Sequence, residues 1–140
     1  MLAAMAADEP TSADYDEAAS LRAALRLFLR HSETITRRHG LSPRQHELLL
    51  MIKASPGEQS TVSELVELLQ LTQSTVTELV QRAEEGGLLL RRQSAADGRV
   101  VHLSLTPEAQ GRLREAVAEL GPERLRLLSL LHKSPDPIEA

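Results

Sequence analysis

Cysteine is missing from the 140 residues. Its absence excludes disulfides, thiolate zinc sites and thiol-based redox sensing. Aromatic side chains are almost missing too: Tyr15 and Phe28 are the only two. A pocket that stacks flat aromatic ligands therefore has little to build with, and any small-molecule pocket is expected to be aliphatic, with His or Arg as polar handles. No apolar run approaches the roughly 20 residues needed to cross a bilayer, so no membrane partner is expected. The first residues carry Asp8 and Glu9 instead of the basic segment of a signal peptide, which makes the cytoplasm the expected location.

Catalytic groupings are absent as well. His31, His39, His46, His102 and His132 form no i, i+4 pair, and no HExxH occurs. Without ligand spacing no metal site is expected, and no cofactor. Nothing groups a nucleophile with a base, or two acids, so the chain does not read as an enzyme. The net charge is −4. Asp8, Glu9, Asp14, Asp16 and Glu17 concentrate acid in the first twenty residues; beyond them 16 basic residues face 15 acidic ones. Phosphate attraction depends on local arrangement more than on this total.

What is present centres on Thr61 to Thr106. Thr61 and Glu64 form a capping box that opens a short helix with Leu65, Leu68 and Leu69 on one face. Gln70 and Leu71 make a turn, and Thr72 caps a second helix. That helix sends Val76, Leu79, Val80 and Ala83 inward and leaves Gln73, Ser74, Thr75, Thr77, Glu78, Gln81 and Arg82 outside, until Gly86-Gly87 stops it. This is a helix-turn-helix whose second helix suits a major groove. Leu88 to Arg92 and Val100 to Leu105 then read as two strands around a polar loop, Gln93 to Arg99, that holds the turn signal Asp97-Gly98. Ser60 to Val62 is a candidate third strand.

A hairpin following a helix-turn-helix is a wing. Asp97-x-Arg99 with Leu105-Thr106 behind it, after GLLLRR, resembles the MarR family of winged-helix transcriptional regulators from about Asp14 to Leu131. The resemblance implies a homodimer on pseudo-palindromic double-stranded DNA, most often a repressor and usually released by a small, often phenolic or anionic, ligand; the alternative is a protein with no natural effector. The fold implied is mainly α with a small β-hairpin wing. On this reading Gln73, Ser74 and Thr75 meet base edges or phosphates, Thr77 and Gln81 follow, and Arg82, Arg91 and Arg92 suit phosphates. The resemblance places Arg99 in a minor groove, where narrow A·T tracts concentrate negative potential. Asp97 is expected to orient an arginine through a carboxylate–guanidinium pair. Glu78 departs from the family pattern; it would repel phosphate, accept from cytosine, or pair with Arg82. The competing reading is a dimeric winged-helix protein-interaction module without DNA binding.

The flanks are expected to dimerise. Residues 1–13 read as a tail, and 14–40 as a long helix capped by Asp14 and Glu17, with Leu21, Leu25, Phe28 and Ile35 at helical spacing. The alternative is that this helix packs within its own subunit. Residues 41–106 form the DNA-binding domain, opened by Ser42, Pro43 and Gln45. Residues 107–133 carry two C-terminal helices broken at Gly121-Pro122, shorter than in typical relatives, and 134–140 is a tail.

Overall fold

The computed structural model describes residues 8–132. The first helix, α1, runs Ser12–Arg38 and starts earlier than the acidic residues suggested. Thr11 is its N-cap: the Thr11 hydroxyl accepts from the Asp14 amide and the Asp14 carboxylate accepts from the Thr11 amide, a complete box. Asp14 is therefore the third helical residue, reaching back, and residues 12 and 13 leave the expected tail. Residues 1–7 and the expected C-terminal tail lie outside the described residues. Gly40, at φ 74°, closes α1. The Leu41 amide donates to the Thr36 carbonyl and the Gly40 amide to that of Arg37, the paired bonds of a Schellman stop.

Helix α2 (Pro43–Ala54) carries the Ser42–Gln45 box as read from sequence. It is the central rod: Leu48, Leu49 and Ile52 are fully buried, and α1, α3, α4, α5 and the hairpin all pack on it. A 3-10 turn (Pro56–Glu58) leads to α3 (Val62–Leu69) and α4 (Gln73–Glu85). The expected apolar face of α3 is only partly right. Leu65 and Leu69 are buried, but Leu68 is 47% exposed and Val62 and Val66 pack on the core instead. On eight residues a 100° step leaves the edge of the stripe undetermined, and the position of α2 decides it.

Strands β1 (Leu89–Gln93) and β2 (Val101–Leu105) pair antiparallel, with Arg92 opposite His102. The candidate third strand reduces to one residue: Ser60 exchanges both backbone hydrogen bonds with Leu103, while Thr61 is already the cap of α3. Two C-terminal helices follow, α5 (Pro107–Glu119) and α6 (Gly121–His132). Among the described residues, no helix is long and apolar enough to cross a membrane.

The core is continuous from Leu41 through α2, α3, α4 and the hairpin to Leu113 of α5. The flanking helices are different. In α1 only Thr36 is buried, and in α6 nothing is. Leu21, Leu25, Leu27 and Leu29 on α1, and Leu125, Leu128, Leu130 and Leu131 on α6, are exposed. Fully burying a leucine is worth about 1.5–3 kcal/mol, so this surface represents a large unrealised stabilisation.

Candidate nucleic-acid interface

Helix α4 is presented by its two ends. Thr72 accepts from the Thr75 amide, and its hydroxyl bonds the Thr75 hydroxyl at 2.8 Å. At the far end the Leu88 amide donates to the Ala83 carbonyl and the Gly87 amide to that of Glu84, with Gly87 at φ 74°. A side chain at Gly87 would be strained, so the exit into the hairpin depends on glycine. Between these stops Val76, Val80 and Ala83 are completely buried and Leu79 is half-buried. Gln73, Ser74, Thr75, Thr77, Glu78, Gln81 and Arg82 are all exposed. The structure thus keeps every proposed recognition residue on the solvent side of one helix.

Among the described residues Glu78 pairs with Arg82, one of its three alternatives. Its carboxylate accepts from the Arg82 guanidinium at 2.7 Å, one turn on. The pair neutralises the carboxylate locally and holds Arg82 over the helix. Gln81 leans towards Glu85 at 3.4 Å.

The wing departs from expectation at its tip. Asp97 makes no ion pair with an arginine among the described residues. Its Oδ1 accepts from the Arg99 backbone amide at 3.0 Å, and the Asp97 carbonyl accepts from the Val100 amide. The Ser94 hydroxyl accepts from the Ala96 and Asp97 amides. Asp97 therefore shapes the turn that displays Arg99. A short carboxylate bonds a backbone two residues on more readily than it reaches a long guanidinium folded back on itself. Arg91 is committed to Glu84, Nε to Oε1 at 2.7 Å, which fastens β1 to the end of α4. Arg92 and Arg99 are free of carboxylates among the described residues, and they are the cations the hairpin offers outward.

Two features escaped the sequence reading. His39, at the end of α1, lies between Glu115 and Glu119 of α5, 3.3 Å from one and 2.6 Å from the other, with Arg38 on Glu119 at 2.6 Å. The hydrogen bond from His39, then Arg38, holds the Glu119 carboxyl below the usual carboxylate range. The i, i+4 acids were visible in sequence; their partner some 80 residues away was not.

The second feature is a cavity of about 570 Å³ between α1, α2 and the α5–α6 junction. Phe28, Leu29, Leu50, Met51, Val117 and Leu120 give it apolar walls, with His46 and Arg124 as polar groups and Ser32, Glu33 and Glu47 also lining it. His46 and Arg124 are the polar handles expected, but one of the two aromatics, Phe28, lines the cavity, so its walls are not purely aliphatic. The only sequence signal for His46 was a lone imidazole at the head of an apolar run. It is buried, and its Nδ1 finds no partner among the described residues.

Burial pushes the His46 imidazole below its ordinary pKa. The unfolded chain therefore takes up this proton at higher pH than the folded one. The associated stability is complete above an ordinary imidazole value of about 6.5 and is lost as pH falls from there through the depressed folded value. Glu119, held low, remains ionised over that window and does not contribute to the loss. The urea midpoint should fall between pH 7.5 and 5.5, and His46→Gln should flatten that fall; an unchanged slope in the variant contradicts the assignment.

A family model described as the MarR family matches residues 39–100, from the end of α1 through the wing tip. The HTH-type transcriptional repressor MdtR of Bacillus subtilis (strain 168) is 32% identical over 94 residues, spanning 67% of this chain and 59% of MdtR. The chain belongs to the MarR family. It spans less than two thirds of MdtR's own length. The fold extends the likeness over the flanking helices. AbsC, a MarR family transcriptional regulator from Streptomyces coelicolor, matches with a TM-score of 0.74 at 19% identity, covering 95% of this chain and 88% of AbsC. Sco3205, a MarR family regulator from the same organism solved in complex with DNA, matches with a TM-score of 0.69 at 23% identity over 95% and 84% of the two chains.

Seen as a MarR winged helix, the trailing Leu105-Thr106 has a physical role. Leu105 is buried. The Thr106 amide donates to the Leu88 carbonyl, its hydroxyl donates to the Gly87 carbonyl at 2.7 Å, and the same oxygen accepts from the Ala109 amide. One threonine therefore ties the exit of α4, the base of the wing and the start of α5.

Proposed function

We propose that this MarR family chain is a homodimeric regulator, most often a repressor, that binds a pseudo-palindromic DNA operator in the cytoplasm and catalyses no reaction. The observation that carries the proposal is the division of α4: one side is sealed into the core, and the other is a continuous exposed row of hydroxyls and amides flanked by the cations of the wing. Gln73 matches the N6 and N7 edge of adenine, and the Thr75 and Thr77 methyls suit thymine. The pairing of Glu78 with Arg82 weakens the electrostatic objection to DNA that the carboxylate first raised. Arg92 supplies a phosphate contact and Arg99 a minor-groove contact. The exposed leucines of α1 and α6 supply the contact with a second copy. The cavity beside His46 supports relief by a small molecule, because it lies between the dimerising helices and the winged helix.

Selection of bound duplexes from a random pool tests this reading. The enriched motif should show dyad symmetry with half-sites about one turn, ~10 bp, apart; enrichment of no motif overturns it. On the selected duplex, Arg99→Ala should weaken binding by about 1–3 kcal/mol in a mobility-shift titration, with the urea midpoint unchanged. Wild-type affinity in that variant removes Arg99 from the interface.

A further inference from the structure

The wing carries a pattern that contact with DNA does not use. Arg91-Arg92-Gln93-Ser94 sets two arginines three and two residues ahead of a serine. The other adjacent arginine pair, Arg37-Arg38, has Gly40 where Ser94 stands, so the pattern occurs once. Strand β1 ends at Gln93, and half-buried Ser94 opens the loop whose next five residues, Ala95 to Arg99, are exposed. The Ser94 amide still bonds the Val100 carbonyl at 2.8 Å. That bond carries the alternation of the strand one residue further and sets Ser94 on the face of Arg92, whose guanidinium is free of carboxylates among the described residues. The Ser94 hydroxyl accepts from the Ala96 amide at 3.2 Å and the Asp97 amide at 3.4 Å, and its own proton meets no acceptor among the described residues.

We infer that Ser94 is a phosphorylation site for an arginine-directed serine kinase, and that a phosphate there switches off the wing's hold on DNA. The consequence rests on the DNA-binding reading; the site itself does not. In the transfer, Ser94 Oγ bonds the γ-phosphorus of ATP as the bond from that phosphorus to the β,γ-bridging oxygen breaks. ADP leaves, and the hydroxyl proton passes to water. Arginines ahead of the acceptor are recognised by carboxylates of the kinase, a charge pattern that selects one serine among many. With Arg91 matched by Glu84, Arg92 and Arg99 against Asp97 leave the loop about one charge positive, and the ester adds about −1.5 to −2. The wing then turns negative where it should meet phosphates. The new dianion also occupies the turn that the Asp97 carboxylate shapes, and like charges there oppose the loop that displays Arg99.

The test incubates the intact protein with an arginine-directed serine kinase and magnesium ATP, maps the product by mass spectrometry and titrates it on the selected duplex. Ser94 should take up about one phosphate per chain, and the phosphoprotein should bind the duplex at least about tenfold more weakly than the unmodified chain. Ser94→Ala should take up none there, and Arg92→Gln should be modified at least about tenfold more slowly. No phosphate on Ser94 of the folded protein, or uptake indifferent to Arg92→Gln, overturns the site. A Ser94 phosphoprotein that holds the duplex as tightly as the unmodified chain overturns the switch. Failure of the unmodified chain to bind any duplex strikes the DNA-binding reading instead, while a phosphate mapped to Ser94 still upholds the site.

Discussion

Leu21→Glu combined with Leu125→Glu should convert the protein to a monomer and weaken operator binding by about 10²–10⁴-fold, the advantage lost when two linked half-site contacts become independent. Both leucines are exposed in the single chain, Leu21 at 44% and Leu125 at 65%. Leu125 is mostly in water and Leu21 only partly covered, beside α6 of its own chain, so the cost to the single subunit should be small against the loss of a contact between copies. Any large effect therefore reports a contact between copies. In a two-fold dimer each substitution occurs twice, and each replaces a burial worth about 1.5–3 kcal/mol with a carboxylate that has no partner. Sedimentation equilibrium reads the monomer directly. A variant that stays dimeric would move the interface away from α1 and α6.

The second large effect is within the subunit. Leu65→Ala should destabilise the fold by about 2–5 kcal/mol, and Leu68→Ala by no more than about 0.5 kcal/mol. Leu65 is fully buried at the centre of α3, whereas Leu68, three residues away, is 47% exposed. Because α3 packs on both α2 and α4, the cavity left by Leu65 also loosens the platform on which α4 is displayed. Urea unfolding of the two variants separates them. Equal destabilisation would restore the single apolar stripe that the spacing of Leu65, Leu68 and Leu69 first suggested.

That pair of leucines also shows where the sequence is informative. The caps at Ser42, Thr61 and Thr72, and the stop at Gly87, were legible because each is an exchange between groups a few residues apart in the chain. The buried side of α4 and the alternation of Val101, Leu103 and Leu105 were legible for the same reason, since period alone determines which way they face. The cap at Thr11 is less legible, because Asp14 and Glu17 fit a dipole-stabilising first turn as well as they fit a box opened by the threonine. What local pattern cannot give is the partner of a long side chain. The choice of Glu84 by Arg91, the clasp of His39 by Glu115 and Glu119, and the turn-forming role of Asp97 all depend on where elements finally dock. The cavity beside His46 belongs to the same class, since its walls bring α5 and α6 against α1 and α2 from far along the chain.

Function in this protein requires paired copies gripping one duplex. The most direct test is the affinity of the protein for a selected palindromic duplex and for a duplex carrying one half-site, each measured at about 50 and 200 mM salt. The full site should bind at least about 100-fold tighter than the half-site, and both affinities should fall steeply with salt as phosphate contacts release counterions. Equal affinity for the two duplexes, or no binding to either at the lower salt, would contradict it.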